Sequence, residues 1–364
     1  MKQSALHPLH LQLNAKMIDF QGWQMPFQYT GTAEEHLAVR SAAGLFDISH
    51  LGRIEIAGPG AADLLQKTFT RNISKLVEGS AVYGLFCNES GFILDDALLF
   101  HLPKGQPEDR YLLSTNSINT DKMLMWLQQH AGQDVQIIDR TDDLAQIALQ
   151  GPSSDSLLEK IVGPALKKIR PKNVRERSLV GASVIVSGTG YTGEHGYEFF
   201  VPVGHAETLW TLIMEAGKES GLAPCGLASR DVLRLEMGYV MYGHDIDETR
   251  NPFEAGLGAF VDLKKEFIGK EAILAQKTAG TERRLAGFTL MEKEIPLSDA
   301  SIFSENREIG AVTSANYSPS VRKGIGLGYV LARYAQPGQE VEIEVGDREI
   351  SAKIAELPFY RKNK

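Results

Sequence analysis

The residues best placed to do chemistry lie in Ser90-Gly91-Phe92-Ile93-Leu94-Asp95-Asp96-Ala97-Leu98-Leu99-Phe100, where two adjacent carboxylates interrupt an apolar run just after a glycine. A strand of this composition alternates its side chains between faces, so Asp95 and Asp96 point in opposite directions and cannot form a carboxylate dyad. A carboxylate among aliphatic neighbours is desolvated, at a cost on the order of several kcal/mol unless it is paired, hydrogen-bonded or facing a ligand. Two readings follow. Either one aspartate looks into a binding site, or Gly91 makes a turn and both aspartates sit at a wet strand end.

A second stretch, Ser187-Gly188-Thr189-Gly190-Tyr191-Thr192-Gly193-Glu194-His195-Gly196-Tyr197-Glu198-Phe199-Phe200-Val201, contains a literal GxGxxG. Dinucleotide binding through that motif requires a helix directly after the last glycine, so that its N-terminus meets the pyrophosphate. Here residues 197–203 read as a strand returning from a hairpin, which argues against a nicotinamide or flavin site. The glycines instead suit a tight turn and close approach to a flat ligand, with Tyr191 and Glu198 carried on the two arms.

Three further groups need weighing. On a helix over 227–238, Arg230 and Arg234 lie one turn apart above an apolar face with Leu227 and Met237. They fit either a clamp for an anionic or planar ligand, or ion pairs with Asp231, Glu236 or Glu198. His50, beside Asp47 and Ser49, has no second histidine at metal-ligand spacing and reads as a hydrogen-bonded loop residue. His244, Asp245 and Asp247 lack calcium-loop spacing, so no metal is expected.

The elements that must position these residues follow from periodicity. Residues 19–29, rich in Gly, Pro and aromatics, suit a folded cover. Thr32 and Glu35 have capping-box spacing for a helix ending near Gly44, with Ala33, Leu37 and Ser41 as its buried stripe. A strand over the second half of 46–56 and a helix over 61–68 come next, then three strands between 82 and 113 and a helix over 119–130 with Met123, Leu124, Trp126 and Leu127 inside. Short strands at 146–149 and 183–186 flank a helix opening at 151–153, and a further helix buries Leu209, Leu212, Ile213 and Ala216. The polar passage 275–282 is the expected domain boundary. Beyond it strands at 285–290, 301–303, 309–313 and 325–330, and a hairpin of 341–345 with 348–354, predict a small β-barrel or sandwich.

Composition bounds the function. The chain has 364 residues, 43% hydrophobic and 23% charged, enough for two or three cores. Its formal charge of −8 carries no overall basic footprint for a nucleic-acid backbone. Cys87 and Cys225 form neither a CxxC pair nor a disulfide framework, which predicts reduced structural thiols and a cytoplasmic compartment. Residues 1–17 lack a signal-peptide core, and no apolar run reaches membrane-spanning length.

Several segments in register and in order carry a resemblance: residues 19–25, Glu35-His36-Leu37-Ala38-Val39-Arg40, Gly44-Leu45-Phe46-Asp47-Ile48-Ser49-His50, Ile93-Leu94-Asp95-Asp96, Gly190-Tyr191-Thr192-Gly193-Glu194 through Glu198, Arg230-Asp231, 242–248, 267–271 and 310–314. Over essentially its full length the chain resembles the aminomethyltransferase (T-protein) family of the glycine cleavage system. The resemblance implies a three-lobed α+β fold around a central folate channel, with a ferredoxin-like lobe and a β-rich C-terminal lobe. Two interleaved α+β lobes would occupy residues 1–275 and a β-barrel domain residues 283–364.

It also implies that Asp96 is the catalytic carboxylate at the reacting end of tetrahydrofolate, that Glu198 binds the pterin, and that Tyr83, Tyr191 and Arg230 contact the folate. One carboxylate can accept from the 2-amino group and the adjacent ring N–H of a pterin together. The implied partner is the lipoylated carrier (H) protein, whose aminomethyl group gives up ammonia as its methylene carbon passes to tetrahydrofolate, forming 5,10-methylenetetrahydrofolate. Leu51, Phe92 and Ser114 depart from the family's usual Met, Gly and Asn. A folate-dependent demethylase and a non-catalytic folate-binding protein share the fold. The latter carries a Lys-Gly-Cys-Tyr-type signature, where this chain has Lys265-Glu266-Phe267-Ile268-Gly269.

Overall fold

A computed structural model describes residues 1–103, 109–163 and 169–362. These fall into two compact units, residues 1–86 with 95–230 and residues 87–94 with 231–364.

The first unit is built on two sheets interleaved in sequence. Strands Gly52–Ala57, Ile93–His101, Arg110–Thr115 and Gln136–Asp139, with helices Ala61–Thr68 and Thr120–His130 between them, form a ferredoxin-like sheet to which Ser80–Cys87 adds an edge. Its neighbours pair antiparallel, as in Leu98 opposite Ser114 and Ile54 opposite Leu113. The second sheet has six strands in the order Val174–Leu179, Ala182–Ser187, Gly196–Pro202, Leu144–Gln150, Ala43–Asp47 and Leu222–Cys225. Helices Ser154–Val162 and Ala206–Gly217 cover one face of it. Leu157, Leu158, Leu209, Trp210 and Ile213 pack there on Ile147, Leu149, Tyr197, Phe199 and Val201.

The two-residue period of a strand decides what the other face holds. With Tyr197, Phe199 and Val201 turned toward the helices, Glu198 and Phe200 turn the opposite way. Phe200 meets Phe100 with ring centroids 5.1 Å apart, inside a cluster with Ala81, Leu102 and Leu112. Asp96, Leu98 and Phe100 share a face of their strand, as do Ala81 with Tyr83 and Leu112 with Ser114. Tyr83, Asp96 and Ser114 therefore look from one sheet, and Gln146 and Glu198 from the other, into the space between the sheets of this unit.

Two local expectations are corrected. Residues 19–29, expected as a folded cover rather than a helix, are mostly strand rather than loop. They belong to a hairpin of Lys16–Phe20 and Trp23–Gln28 whose two turn residues, Gln21 and Gly22, both have positive φ (52° and 84°). The helix Thr32–Ser41 begins as expected, but it buries Glu35, His36 and Val39 and exposes Leu37. The capping box does not form, because Glu35 turns inward to other backbone donors.

The loop after Ala182–Ser187 returns as the strand Gly196–Pro202, with Ser187 opposite Glu198. A helix does not follow the GxGxxG, which disposes of its dinucleotide reading. The glycines make room for a protein side chain rather than for a ligand. A Cβ at Gly190 would lie 1.9 Å from Oε1 of Gln150, and one at Gly196 2.4 Å from its Nε2. Gln150 is fully buried, its Nε2 donating to the Thr189 carbonyl (3.1 Å) and its Oε1 accepting from Thr192 Oγ1 (2.9 Å). Arg40 ties the same loop to the helix Thr32–Ser41 through the Thr192 carbonyl (2.7 Å) and Glu194 (2.9 Å).

In the second unit, six strands from Arg283 to Ala355 close into a barrel, and its Glu340–Val345 and Arg348–Ala355 strands turn across Gly346-Asp347. Its interior holds Phe288, Ile302, Val312, Val330, Ile343 and Ile354. The expected boundary at 275–282 is helical as far as Ala279, because Lys270–Ala279 continues into it. Arg234 and Asp245 form a buried ion pair at 2.6 Å, and Ser314 and Thr313 donate to the other Asp245 oxygen. Both cysteines are free and buried. No helix among the described residues is long and apolar enough to cross a membrane.

Gly190→Ala is expected to destabilise the protein by about 2 kcal/mol in denaturant titration, since Gln150 must lose its bonds or the loop must move. Gly204→Ala, where a Cβ meets nothing within 4 Å, is the matched control and should change little.

Candidate functional site

Asp96 is half-buried and accepts from the Tyr83 hydroxyl (2.9 Å) and from Nδ2 of Asn116 (2.8 Å). Tyr83 in turn lies within electrostatic reach of Tyr191, and burial with the neighbouring Asp96 charge raises its own pKa well above the ordinary value. The Arg230 guanidinium sits over the Tyr191 ring, 4.8 Å from its centroid, in cation–π contact. Arg230 also faces the carboxylate of Glu198, which is 3% exposed and takes a hydrogen bond from Thr189 Oγ1 (2.8 Å). Burial raises the Glu198 pKa, with Arg230, Thr189 and the Gln146 amide opposing the shift. The five candidates Tyr83, Asp96, Tyr191, Glu198 and Arg230 thus form one chain of neighbours drawn from four segments of sequence. Tyr191 stands in the loop, and only Glu198 stands on an arm of the hairpin.

The two arginines separate. Arg234 takes the ion-pair reading, held by Asp231 (2.8 Å) and Asp245. Arg230 takes the ligand-facing one: its Nη1 is buried with no hydrogen-bond partner among the described residues. Nδ1 of His50 is bare as well, and Nε2 of Gln146 has no hydrogen bond of ordinary geometry although it leans toward Glu198. His50 is therefore not the hydrogen-bonded loop residue expected. It is 4% exposed, edge-on to Phe20, and burial together with the Arg230 charge lowers its pKa to about 3, so the ring is neutral. Buried polar groups are nearly always satisfied, so a cluster of bare ones beside a buried carboxylate marks a place where a ligand completes the bonding.

Asp95 faces away from Asp96, as alternation requires, yet the two are not independent. Asn116 Nδ2 bridges them at 2.8 Å to each, and Asn119 Nδ2 adds 2.7 Å to Asp95. Full burial and the adjacent Asp96 charge push Asp95 up to about 8, against the pull of Asn119 and Asn116. A neutral Asp95 leaves Asp96 as the anion of the pair. The wet-strand-end reading fails for this reason. Asn116 was not singled out by sequence reasoning, although an asparagine directly after a strand beside an acidic pair is a signal. Attention went to Ser114, two residues earlier, whose Oγ instead donates to Oε1 of Gln146 (3.3 Å).

Glu35 was also missed as a site element. Its Oε1 accepts from the backbone N–H groups of Tyr29 (2.6 Å), Thr30 (3.0 Å) and Gly31 (3.4 Å). Its Oε2 accepts from Gly226 N–H (2.7 Å) and Ser229 Oγ (3.3 Å), at the start of the helix Leu227–Glu236 that carries Arg230. An anion at a helix N-terminus is favourable, and this one fixes where Arg230 emerges. Ahead of the ferredoxin-like sheet, Asp47 is held by His10 (2.9 Å), Ser4 (2.6 Å) and the Ser49 N–H (2.9 Å). Burial raises its pKa, but these partners outweigh that and bring it to about 2. Arg53, fully buried, donates to the carbonyls of Ser49, Leu51 and Thr141 and so shapes the turn that presents His50. Among the described residues no group of three or more His, Cys, Asp or Glu is placed to hold a metal ion.

Comparison with known proteins places this geometry. The GCVT N-terminal domain matches residues 6–265 and the glycine cleavage T-protein C-terminal barrel domain residues 283–361. An aminomethyltransferase of Halothermothrix orenii is 44% identical over 99% of this chain and 100% of its own, and one of Geobacillus thermodenitrificans is 41% identical over 100% of both. The crystal structure of glycine cleavage system aminomethyltransferase T from Bartonella henselae superposes with a TM-score of 0.91 at 32% identity, covering 99% of this chain and 98% of that one. The chain belongs to the glycine cleavage T-protein family.

Two outcomes check the site. Asp95 binds its proton more tightly folded than unfolded, so its contribution to stability falls as pH rises from near 3.8 through about 8. The melting temperature should accordingly lose this contribution between about pH 4 and pH 8 and level off above that, and Asp95→Asn should flatten the fall. Glu35→Ala strands several buried N–H donors and should cost about 3 kcal/mol or more in denaturant titration.

Proposed function

We propose that the space between the two sheets of the first unit holds the pterin end of tetrahydrofolate, with Glu198 accepting from its 2-amino group and ring N–H, Tyr83 and Tyr191 supplying flat apolar surface, and Arg230 a charged donor. The chain itself is an aminomethyltransferase enzyme of glycine cleavage. The observation that carries the folate reading is the buried Glu198 carboxylate surrounded by donors that the protein leaves bare.

In the proposed reaction the substrate is an aminomethyl group bonded to sulfur on the lipoyl arm of a carrier (H) protein. Two folate nitrogens each form a bond to the methylene carbon, while its bonds to ammonia and to sulfur break. The protons leaving the folate nitrogens balance those taken by ammonia and by the thiol, and 5,10-methylenetetrahydrofolate is the product. Positive charge develops at the methylene carbon and the attacking nitrogen. Asp96 answers it as an anion oriented in advance by Tyr83 and Asn116, so little reorganisation is needed as the charge appears. Asp95, neutral behind it, spares the site a second buried charge. The proposed compartment is the cytoplasm.

The test is ammonia release from an aminomethyl-loaded lipoyl carrier protein, with and without tetrahydrofolate. Release should depend on folate and yield methylenetetrahydrofolate. Asp96→Asn should lower kcat about 100-fold or more while changing folate affinity less than about threefold. Equal losses in both would refute the electrostatic role.

A further inference from the structure

Gln146 lies on the strand Leu144–Gln150, next to the strand that carries Glu198. The register sets Gln146 opposite Phe200 and Ala148 opposite Glu198, so Gln146 and Glu198 are diagonal neighbours on the same sheet face. Side chains of this length reach each other across such a diagonal. Gln146 is 1% exposed. The two ends of its amide are not equally served. Oε1 accepts from Ser114 Oγ at 3.3 Å, while Nε2 lies near enough to Glu198 to favour its anion but makes no hydrogen bond of ordinary geometry. Like charges decide which end faces the carboxylate: two oxygens would repel, so the amide presents its N–H groups.

The result is a buried acceptor and, beside it, a buried amide of two N–H groups, of which at most one leans on Glu198 and the other is left over. Leaving such a donor without a partner costs free energy comparable to a lost hydrogen bond. The complement of this pair is a ring edge carrying N–H next to C=O, the lactam edge of a 2-amino-4-oxopteridine. We infer that Gln146 donates to the 4-oxo oxygen beside the ring N–H that Glu198 engages, making it a specificity residue that separates 4-oxo from 4-amino pteridines. This inference rests on the folate reading above. A 4-amino group in that position would set donor against donor, as Nε2–H faces N–H.

The experiment measures dissociation constants of purified full-length protein for two stable probes, 5-formyltetrahydrofolate (4-oxo) and a reduced 2,4-diaminopteridine analogue (4-amino). Wild type should bind the 4-oxo probe more tightly. Gln146→Met, which keeps the volume and removes the donor, should weaken the 4-oxo probe about tenfold and leave the 4-amino probe within about twofold. Gln146→Glu, which turns the donor into an acceptor, should lower the preference further still. Because the readout is a ratio of affinities within one variant, partial misfolding does not mimic it. If both probes weaken equally, or neither moves, Gln146 is a structural residue and the inference falls while the folate site stands. If wild type binds neither probe, the folate reading fails and takes this inference with it.

Discussion

Polar groups withdrawn from water must be answered, and in the first unit that requirement organises both backbone and site. Each irregular segment near the site is held by a buried side chain that meets its otherwise stranded donors or acceptors. Glu35 gathers the N–H groups of 29–31 and of Gly226, Arg53 gathers the carbonyls around 49–51, and Gln150 fills the space left by Gly190 and Gly196. None of these makes contact with substrate in the proposed reaction. They fix the positions of the groups that do, since a positioning error of about 1 Å is costly to catalysis.

Set against that economy, the groups beside Glu198 stand out among the buried atoms left unanswered. Glu198 has one protein donor at short range, while Gln146, Arg230 and His50 each keep a bare nitrogen. Gln146 and Glu198 face the space between sheets whose hydrophobic contact is made at the far end by Phe100 and Phe200, and the Arg230 charge acts on both Glu198 and His50. At the near end Asp96 is held between Tyr83 and Asn116, with the burden of a second charge relieved by the high pKa of Asp95. In the proposed reaction the tasks are separated along one axis: recognition of a flat polar edge at Glu198, charge stabilisation at Asp96, and aromatic surface between them.

Much of this was legible from local pattern. Helices 61–68 and 119–130, the three strands from 82 to 113 and the terminal hairpin were read from local pattern, because in each of them apolar residues dominate the buried positions. The errors came where burial did not track hydrophobicity. In Thr32–Ser41 the inward residues are Glu35 and His36 while Leu37 faces out, since the carboxylate is needed as an anchor. The glycines of 188–196 were read as accommodating a ligand, whereas the space at Gly190 and Gly196 belongs to Gln150, some forty residues earlier, and that at Gly188 to the Arg170 backbone.

By itself the sequence determined the α+β class, the closed barrel's strands, the opposite facing of Asp95 and Asp96, and the improbability of a dinucleotide site, because each depends on residues adjacent in the chain and on a backbone period of 2 or 3.6. Only the tertiary structure decided that Arg230 faces Tyr191 and Glu198 while Arg234 is spent on Asp231 and Asp245, that Asn116 couples the two aspartates, and that the Gln146 amide lies beside Glu198. Those facts turn on which partner reaches a side chain first. That is settled by strand register and packing between segments far apart in the chain, which local pattern does not encode.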